Sequence, residues 1–479
     1  MILKKRTAIN TLAVAVVIVL IVIAGAGAYY FLVYSPSTTT TTTTPLTGSL
    51  NLITFTDPSN AWLKWAATQF EALHPGVTIN IVAQGFSQYA NTEATSLQTG
   101  SNTYDIITYT STSALRFLPW VVPLNNVITL NSSDIPGPQL AFGGLYRNAT
   151  TGVTQTIGVP YDTSTFAIFY RTDIFDSPTL NSSFYNQYHV SLDPNKWTSW
   201  QNLLEADNFL VNQTKTVPYG IIFDADQSHD IIDTFPAIYG SYYSQDSSVN
   251  GGNPQGGLTN WGIMFKGSAA AGKNPAPSFN STSGVQALQL FYQAVKYDPQ
   301  PFTEVNYGTV FVPLQSGQAA GALMFTADAT SLPNSTINGK YGVATLPGGY
   351  AETGTDFYAV SKYSSNQPLA EAFLAYLITP KVNAEIYYQA QEFPISKAAV
   401  HLIDANQSLP QWQRTIVDRV FQTGAEGWAN PPNLTITSTQ LIPAFNQPIY
   451  TFLTTSDGSS TAALQALNNA AAAWAKAVG

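Results

Sequence analysis

The apolar positions near residue 50 first alternate and then begin to step by three and four. Leu50, Leu52, Ile53 and Phe55 mark a short apolar strand. The polar loop Thr56-Asp57-Pro58-Ser59-Asn60 follows, and Ser59 or Asn60 offers the side-chain oxygen that caps a helix start. Trp62, Trp65, Ala66, Phe70 and Leu73 then recur on one face of an amphipathic helix, which His74-Pro75-Gly76 stops. Val77, Ile79 and Ile81 alternate as the next strand. Strand, helix and strand in that order predict a parallel sheet with a right-handed crossover.

The alternation continues. Residues 86–99 have a helical pattern, and Tyr104 to Tyr109 and Thr165 to Tyr170 read as buried strands. Trp197-Thr198-Ser199-Trp200 opens a helix that runs to Leu210. Helices are also predicted over residues 283–297, from Leu369 to Ile378, and from Thr461 to Val478. Residues 240–282 are rich in Gly, Ser, Asn and Pro and read as a loop excursion. No internal repeat is present, which argues against a repetitive all-β surface-layer protein. A chain of 479 residues exceeds one ordinary core, so two α/β lobes are expected, the chain crossing between them more than once.

The amino terminus has a different pattern. Lys4, Lys5 and Arg6 precede an almost unbroken apolar run from Leu12 to Val33, long enough to span about 30 Å of hydrocarbon. Tyr29, Tyr30 and Tyr34 lie at its far end, where interfacial aromatics belong. Basic residues stay on the cytoplasmic side, so the run predicts a single-pass membrane anchor with the rest of the chain outside the cell. A cleaved signal peptide is the alternative, and it exports the same chain. Ser35-Pro36-Ser37, seven threonines and Pro45 follow; this tract buries nothing and reads as an extended stalk over residues 35–47. Eight Asn-x-Ser/Thr sequons, the first at Asn131 and the last at Asn433, permit glycosylation of an exported chain.

Composition narrows the chemistry. Charged residues are only 10% of the chain, the formal charge is −9, and no basic patch follows the first six residues, so nucleic acid is excluded as a partner. There is no cysteine, hence no disulfide, thiolate metal site, cysteine nucleophile or lipidated amino-terminal Cys. The four histidines, His74, His189, His229 and His401, have no zinc-type spacing. Phosphate-binding and dinucleotide-binding glycine motifs and a nucleophile elbow are missing. Asp224, Asp226, Asp230 and Asp233 form the densest carboxylate group, but lack the Gly and closing Glu of a calcium loop. No cofactor and no metal are expected. A glycosidase would bring two distant acids together only in the fold, and no motif supports one.

Several stretches in order resemble the family 1 extracellular solute-binding proteins, the class of the maltose-binding protein. They are Phe70-Glu71-Ala72-Leu73-His74-Pro75-Gly76-Val77, Tyr104-Asp105-Ile106-Ile107, Val159-Pro160-Tyr161, Phe169-Tyr170-Arg171-Thr172-Asp173-Ile174-Phe175 and Trp197-Thr198-Ser199-Trp200. Further on come Ser316-Gly317-Gln318-Ala319-Ala320, Tyr341 to Gly349 and Ala370 to Leu377. The tether, the Thr stalk and the lack of cysteine look like the archaeal branch. Three departures stand out: Arg171 replaces the usual Asn or Lys, Gly321 replaces a Met, and Thr326-Ala327-Asp328 stands where an aromatic is frequent.

The resemblance implies an α/β, two-lobed periplasmic-binding-protein-like fold of type II, preceded by a single transmembrane helix over residues 1–34. It implies a first lobe over 48–162 with about 357–410 returning to it, and a second over 163–356 with about 411–479 returning. The implied function is binding, not catalysis: a monomeric receptor closes on a sugar and delivers it to the permease subunits of an ABC importer. A sugar needs carboxyls and amides for its hydroxyls and flat aromatic rings for its C–H faces. Ligands of open α/β sheets meet the loops at the carboxyl ends of strands. Candidate contacts are therefore Asp57, Thr110, Ser111, Tyr161, Asp162, Asp226, His229, Asp328, Thr355, Asp356 and Trp428. Each has a plainer reading as well: an Asx turn for Asp57, a helix cap for Thr110 and Ser111, a solvated loop for Asp226 and His229, a hinge cover for Trp428. The few, unclustered Lys and Arg favour a neutral solute over an anion, with a peptide or polyol as alternatives to a sugar.

Overall fold

A computed structural model describes residues 45–479 except 112, 142, 149–150, 229, 251–260, 265–276, 427, 430–437 and 479. The apolar run from Leu12 to Val33 and most of the Thr tract lie outside the described residues, as does His229. No helix of the described residues is long and apolar enough to cross a membrane. Thr47–Gly479 forms one compact unit.

Its first sheet begins as the apolar pattern predicts. Strand β1 is Gly48–Phe55, the helix Ser59–Leu73 follows, and strand β2 is Val77–Gln84. The strands pair in parallel from Gly48 against Val77 to Phe55 against Gln84. Trp62, Leu63, Ala66 and Phe70 form the helix face turned to the core. A second helix, Phe86–Gln98, leads to β3, Ile106–Thr110, which lies parallel to β1. A hairpin of β4, Leu145–Arg147, and β5, Thr154–Thr156, then precedes the two-residue strand β6, Val159–Pro160.

The chain next enters a second sheet. It comprises β7, Phe166–Arg171; β8, Tyr219–Ile222; β9, Ala319–Phe325; and β10, Tyr341–Ala344, in the order β10-β7-β9-β8. After β11, Glu352–Thr353, the chain crosses back into the first sheet as β12, Asp356–Val360. The first sheet then has the order β2-β1-β3-β12-β6. It is mixed and not wholly parallel, because β12 arrives from the other sheet and runs antiparallel to both β3 and β6.

Two helices depart from the sequence reading. Residues Trp200–Asp207 form an α-helix that continues as a π-helical turn over Asn208–Gln213. The predicted loop excursion begins inside a helix, Ile231–Tyr243, which carries Pro236 in its interior. The second sheet has cores on both faces. One gathers Phe166, Ile168, Trp200, Phe223, Phe235, Phe291, Phe445 and Trp474. The other packs Ala167, Phe169, Met324 and Val343 against residues of the late helices, including Tyr387, Val400 and Val417. The helix Pro380–Ala390 also reaches the first sheet's helix, where the Trp62 Nε1–H donates to the Val382 carbonyl at 2.7 Å.

Candidate functional site

The register of the first sheet brings distant residues to one edge. Asp57 follows the carboxyl end of β1, and Thr110 ends β3 opposite Asp356, the first residue of β12. Phe357 lies opposite Pro160, so Tyr161 and Asp162 leave β6 at the same edge. The Asp356 backbone N–H donates to Asp162 Oδ1 at 3.3 Å, and the Tyr161 N–H donates to the Asp356 carbonyl at 3.4 Å. This edge is where an α/β sheet presents ligands to its loops.

Three aromatic rings stack there. The Tyr161 ring lies 4.5 Å from that of Tyr358 at an interplanar angle of 17°, and 5.9 Å from that of Trp62 at 26°. All three residues are buried. The hydroxyls of Tyr161 and Tyr358, Ser111 Oγ and Asp356 Oδ1 are buried and make no hydrogen bond of good geometry, though the Tyr161 hydroxyl lies beside Asp356 and Tyr358 and favours their charged forms. Buried polar atoms are normally paired, so this concentration of open hydrogen-bonding capacity sets the region apart.

Four carboxyls surround the stack. Burial pushes Asp57 up to about 6, against bonds from Ser59 and Asn60 that favour its charge. The Ser59 hydroxyl and the Asn60 side-chain amide both donate to Asp57 Oδ1. Burial raises Asp162 to about 8, with the Asp57 charge adding to the effect. Asp356 and Glu392 are held well above the usual carboxylate range by burial first and by the neighbouring acids second. Like charges in a poorly solvated place cannot all ionise, so the group retains protons near neutrality. Protonated and ionised carboxyls together both donate and accept, which suits hydroxyl-bearing ligands. Among the described residues the ion pairs are Arg171–Asp173, Lys196–Asp193 and Arg414–Asp404, and none involves these acids. No group of acids and histidines among the described residues has the geometry of a metal site.

Thr355 and Thr110 have plainer partners. The Thr355 hydroxyl donates to the buried Gln139 side chain, and the Thr110 backbone and hydroxyl meet Ser113 Oγ. The second sheet assembles its own acids at the carboxyl ends of the parallel strands β8 and β9. Asp224 follows β8, accepts from the Thr234 hydroxyl and is raised by burial and by Asp230. Asp328 follows β9, is raised by the same two causes, and leaves Oδ2 buried without a partner. Asp226 instead closes a local turn, its Oδ1 accepting the Ser228 N–H at 2.8 Å. Trp428 contributes backbone to β13, Trp428–Ala429, which pairs in parallel with β11; its side chain lies outside the described part.

Sequence reasoning missed Glu392, Tyr358 and the role of the Trp62 ring. Tyr358 reads as one more apolar residue of a buried strand. Glu392 follows a helix and reaches the site only because Phe393 and Pro394 hydrogen-bond to Thr163 across the chain crossing. No local signal marks either residue.

Comparison with known proteins bears on the family and the fold. The family model described as bacterial extracellular solute-binding protein matches residues 54–384. No curated protein matches the sequence. Maltose-bound MalE3 of T. maritima is similar at a TM-score of 0.64 and 16% identity, over 89% of this chain and 99% of the other. A solute-binding protein of an ABC transporter from Agrobacterium radiobacter, in complex with ribitol, gives a TM-score of 0.64 at 18% identity, over 91% and 99%. The maltotriose-binding protein of Thermus thermophilus, bound with maltotriose, gives 0.59 at 16% identity, over 90% and 100%. These likenesses show the α/β, two-lobed periplasmic-binding-protein-like fold. The match over residues 54–384 then assigns the chain to the extracellular solute-binding proteins of maltose-binding-protein type, transport receptors of ABC importers and not enzymes.

Proposed function

We propose that this receptor binds a neutral sugar, mono- or oligosaccharide, between its two lobes and delivers it to a membrane permease. The observation that carries the reading is the stack of Trp62, Tyr161 and Tyr358 beside Asp57, Asp162, Asp356 and Glu392, with no ion pair made by these acids among the described residues. Flat rings suit the C–H faces of a sugar, and carboxyls suit its hydroxyls. An anionic solute would meet four uncompensated acids. Ser111 and Thr110 line the same edge, and Asp328 and Asp224 are the candidates from the opposing lobe. Asp226, Thr355 and Trp428 are candidates at its margin. The lobes are taken as 48–162 with 357–410, and 163–356 with 411–479. The apolar run from Leu12 to Val33 and the Thr tract tether the receptor outside the cell.

The ribitol-bound neighbour favours a second reading, in which the solute is a linear polyol. A polyol has the hydroxyls of a sugar but no ring face. Parallel titrations of Asp356→Asn and Tyr161→Ala receptors separate the two. Both changes weaken binding of a cyclic sugar, whereas a polyol loses affinity mainly with the carboxyl. Unchanged sugar affinity in both variants removes the site from this edge of the sheet.

A further inference from the structure

We infer that Gln139 is a positioning residue that sets the balance between lobe arrangements, through one side-chain amide that fastens three crossing segments at once. Gln139 lies in the short helix Gly137–Leu140 and is fully buried. The chain that follows this helix packs on the first sheet, where a side chain on Gly143 would collide with the Phe357 ring. Its Nε2 donates to Thr165 Oγ1 at 2.9 Å and to the Gly424 carbonyl at 3.0 Å, and its Oε1 accepts from the Thr355 hydroxyl. Two donor hydrogens and one carbonyl oxygen are all used.

The three partners lie on three separate passages. Thr165 is the last residue before β7, where the chain enters the second sheet. Thr355 stands just before β12, where it returns to the first. Gly424 lies in the last turn of the helix Gln411–Glu426, whose Ile416, Val417 and Val420 belong to a core of the second sheet. The knot extends further. The Thr326 hydroxyl donates to the Thr163 carbonyl at 2.7 Å, the Thr165 N–H donates to Thr326 Oγ1 at 3.1 Å, and the Thr163 hydroxyl donates to the Pro394 carbonyl at 2.8 Å. Gly424 has no room for a side chain, since a Cβ would lie 2.5 Å from Thr163 Cγ2. Lobe rotation concentrates dihedral change in a few residues at such crossings. A buried amide tied to all three resists that change, because each arrangement must re-satisfy the same three bonds. The inference rests on the receptor fold and not on which solute binds.

The test needs no ligand. The chain has no cysteine, so Leu73→Cys and Tyr185→Cys introduce a unique dye pair. Leu73 is 64% exposed beside the first sheet, and Tyr185 is 56% exposed on a helix beside the second. Single-molecule energy transfer in this background is compared with and without Gln139→Leu. The expected result is a change of at least about fivefold in the ratio of lobe arrangements. Thr355→Val removes one bond of the three and gives a smaller shift in the same direction. An unchanged distribution in Gln139→Leu, with only a lower melting temperature, overturns the inference and leaves a structural role. Where Gln139→Leu does not fold, an unchanged distribution in Thr355→Val does the same.

Discussion

Asp162 carries its carboxyl into a place where Asp57, Asp356 and Glu392 are the nearest charges, and its proton is held up to about 8. The folded pKa lies above the ordinary value of 3.8, so the folded state binds the proton more tightly than the unfolded chain. The resulting stability is fully present below about pH 4 and is lost as pH rises towards 8. Asp162→Asn keeps the shape and removes the titration. Urea unfolding at pH 5 and pH 8 is expected to show a fall of roughly 2 kcal/mol or more in the parent and a clearly smaller fall in the variant; equal falls would remove Asp162 from the pH response. At Tyr161 the ring and the hydroxyl separate cleanly. Tyr161→Ala removes a ring stacked on two others and is expected to cost about 3–5 kcal/mol of stability. Tyr161→Phe keeps the stack and is expected to cost only about 1 kcal/mol, the worth of the hydroxyl's contact with Asp356 and Tyr358. If that hydroxyl meets the solute, affinity falls about tenfold in the Phe variant, which titration reads directly. Asp57, Tyr161, Asp162 and Asp356 were legible one by one, as polar residues at strand ends. Glu392 was not, because its place depends on a crossing some 230 residues away in sequence, the Thr163 hydroxyl bonding to the Pro394 carbonyl.

At the scale of elements, legibility followed the strength of the apolar period. The strand, helix and strand from Gly48 to Gln84 stood where Leu50 to Ile81 placed them. The two-residue strands β6 and β11 carry no period at all, yet they deliver Asp162 and Asp356. The helix Ile231–Tyr243 was hidden by Pro236 and by burial on nearly every side, which erases the polar face. Some helices are held by remote residues that no local reading finds. The helix Lys397–Asp404 starts at Ser396, whose hydroxyl accepts the Ala399 N–H at 3.3 Å and donates to Asp134 Oδ2 at 2.7 Å. Asp134 Oδ1 accepts the Ala398 N–H at 2.8 Å. Two caps, one local and one from 264 residues away, therefore satisfy this helix start. Ser396→Ala is expected to cost about 1 kcal/mol, and Asp134→Ala about 2 kcal/mol because it removes two acceptors. Chemical denaturation checks both, and equal costs would show that the remote cap adds nothing.

At the scale of the whole molecule, buried acids set the response to pH. Glu93, on the helix Phe86–Gln98, and Asp207 and Asp298 beside β8 are also held well above the usual range by burial; they accept the N–H groups of Thr108 in β3, of Ile221 in β8 and of Phe223 just after it. Asp173, Asp246 and Asp457 run the other way, lowered by bonds from Arg171, Ser248 and Ser459, but they lie nearer the surface than the raised acids. The balance predicts a melting temperature that is highest in mild acid and declines towards pH 8; a maximum at or above neutrality would contradict it. The family was legible from short stretches in order, and the fold with it. The solute was not, because the carboxyls and rings beside the first sheet meet only through chain crossings. Calorimetric titration of the receptor with a panel of neutral sugars, linear polyols and small anions tests the central claim most directly. Saturable binding of a neutral sugar without product formation is expected, with no binding of the anions. Preferential binding of an anion, or silence across every sugar, would contradict it.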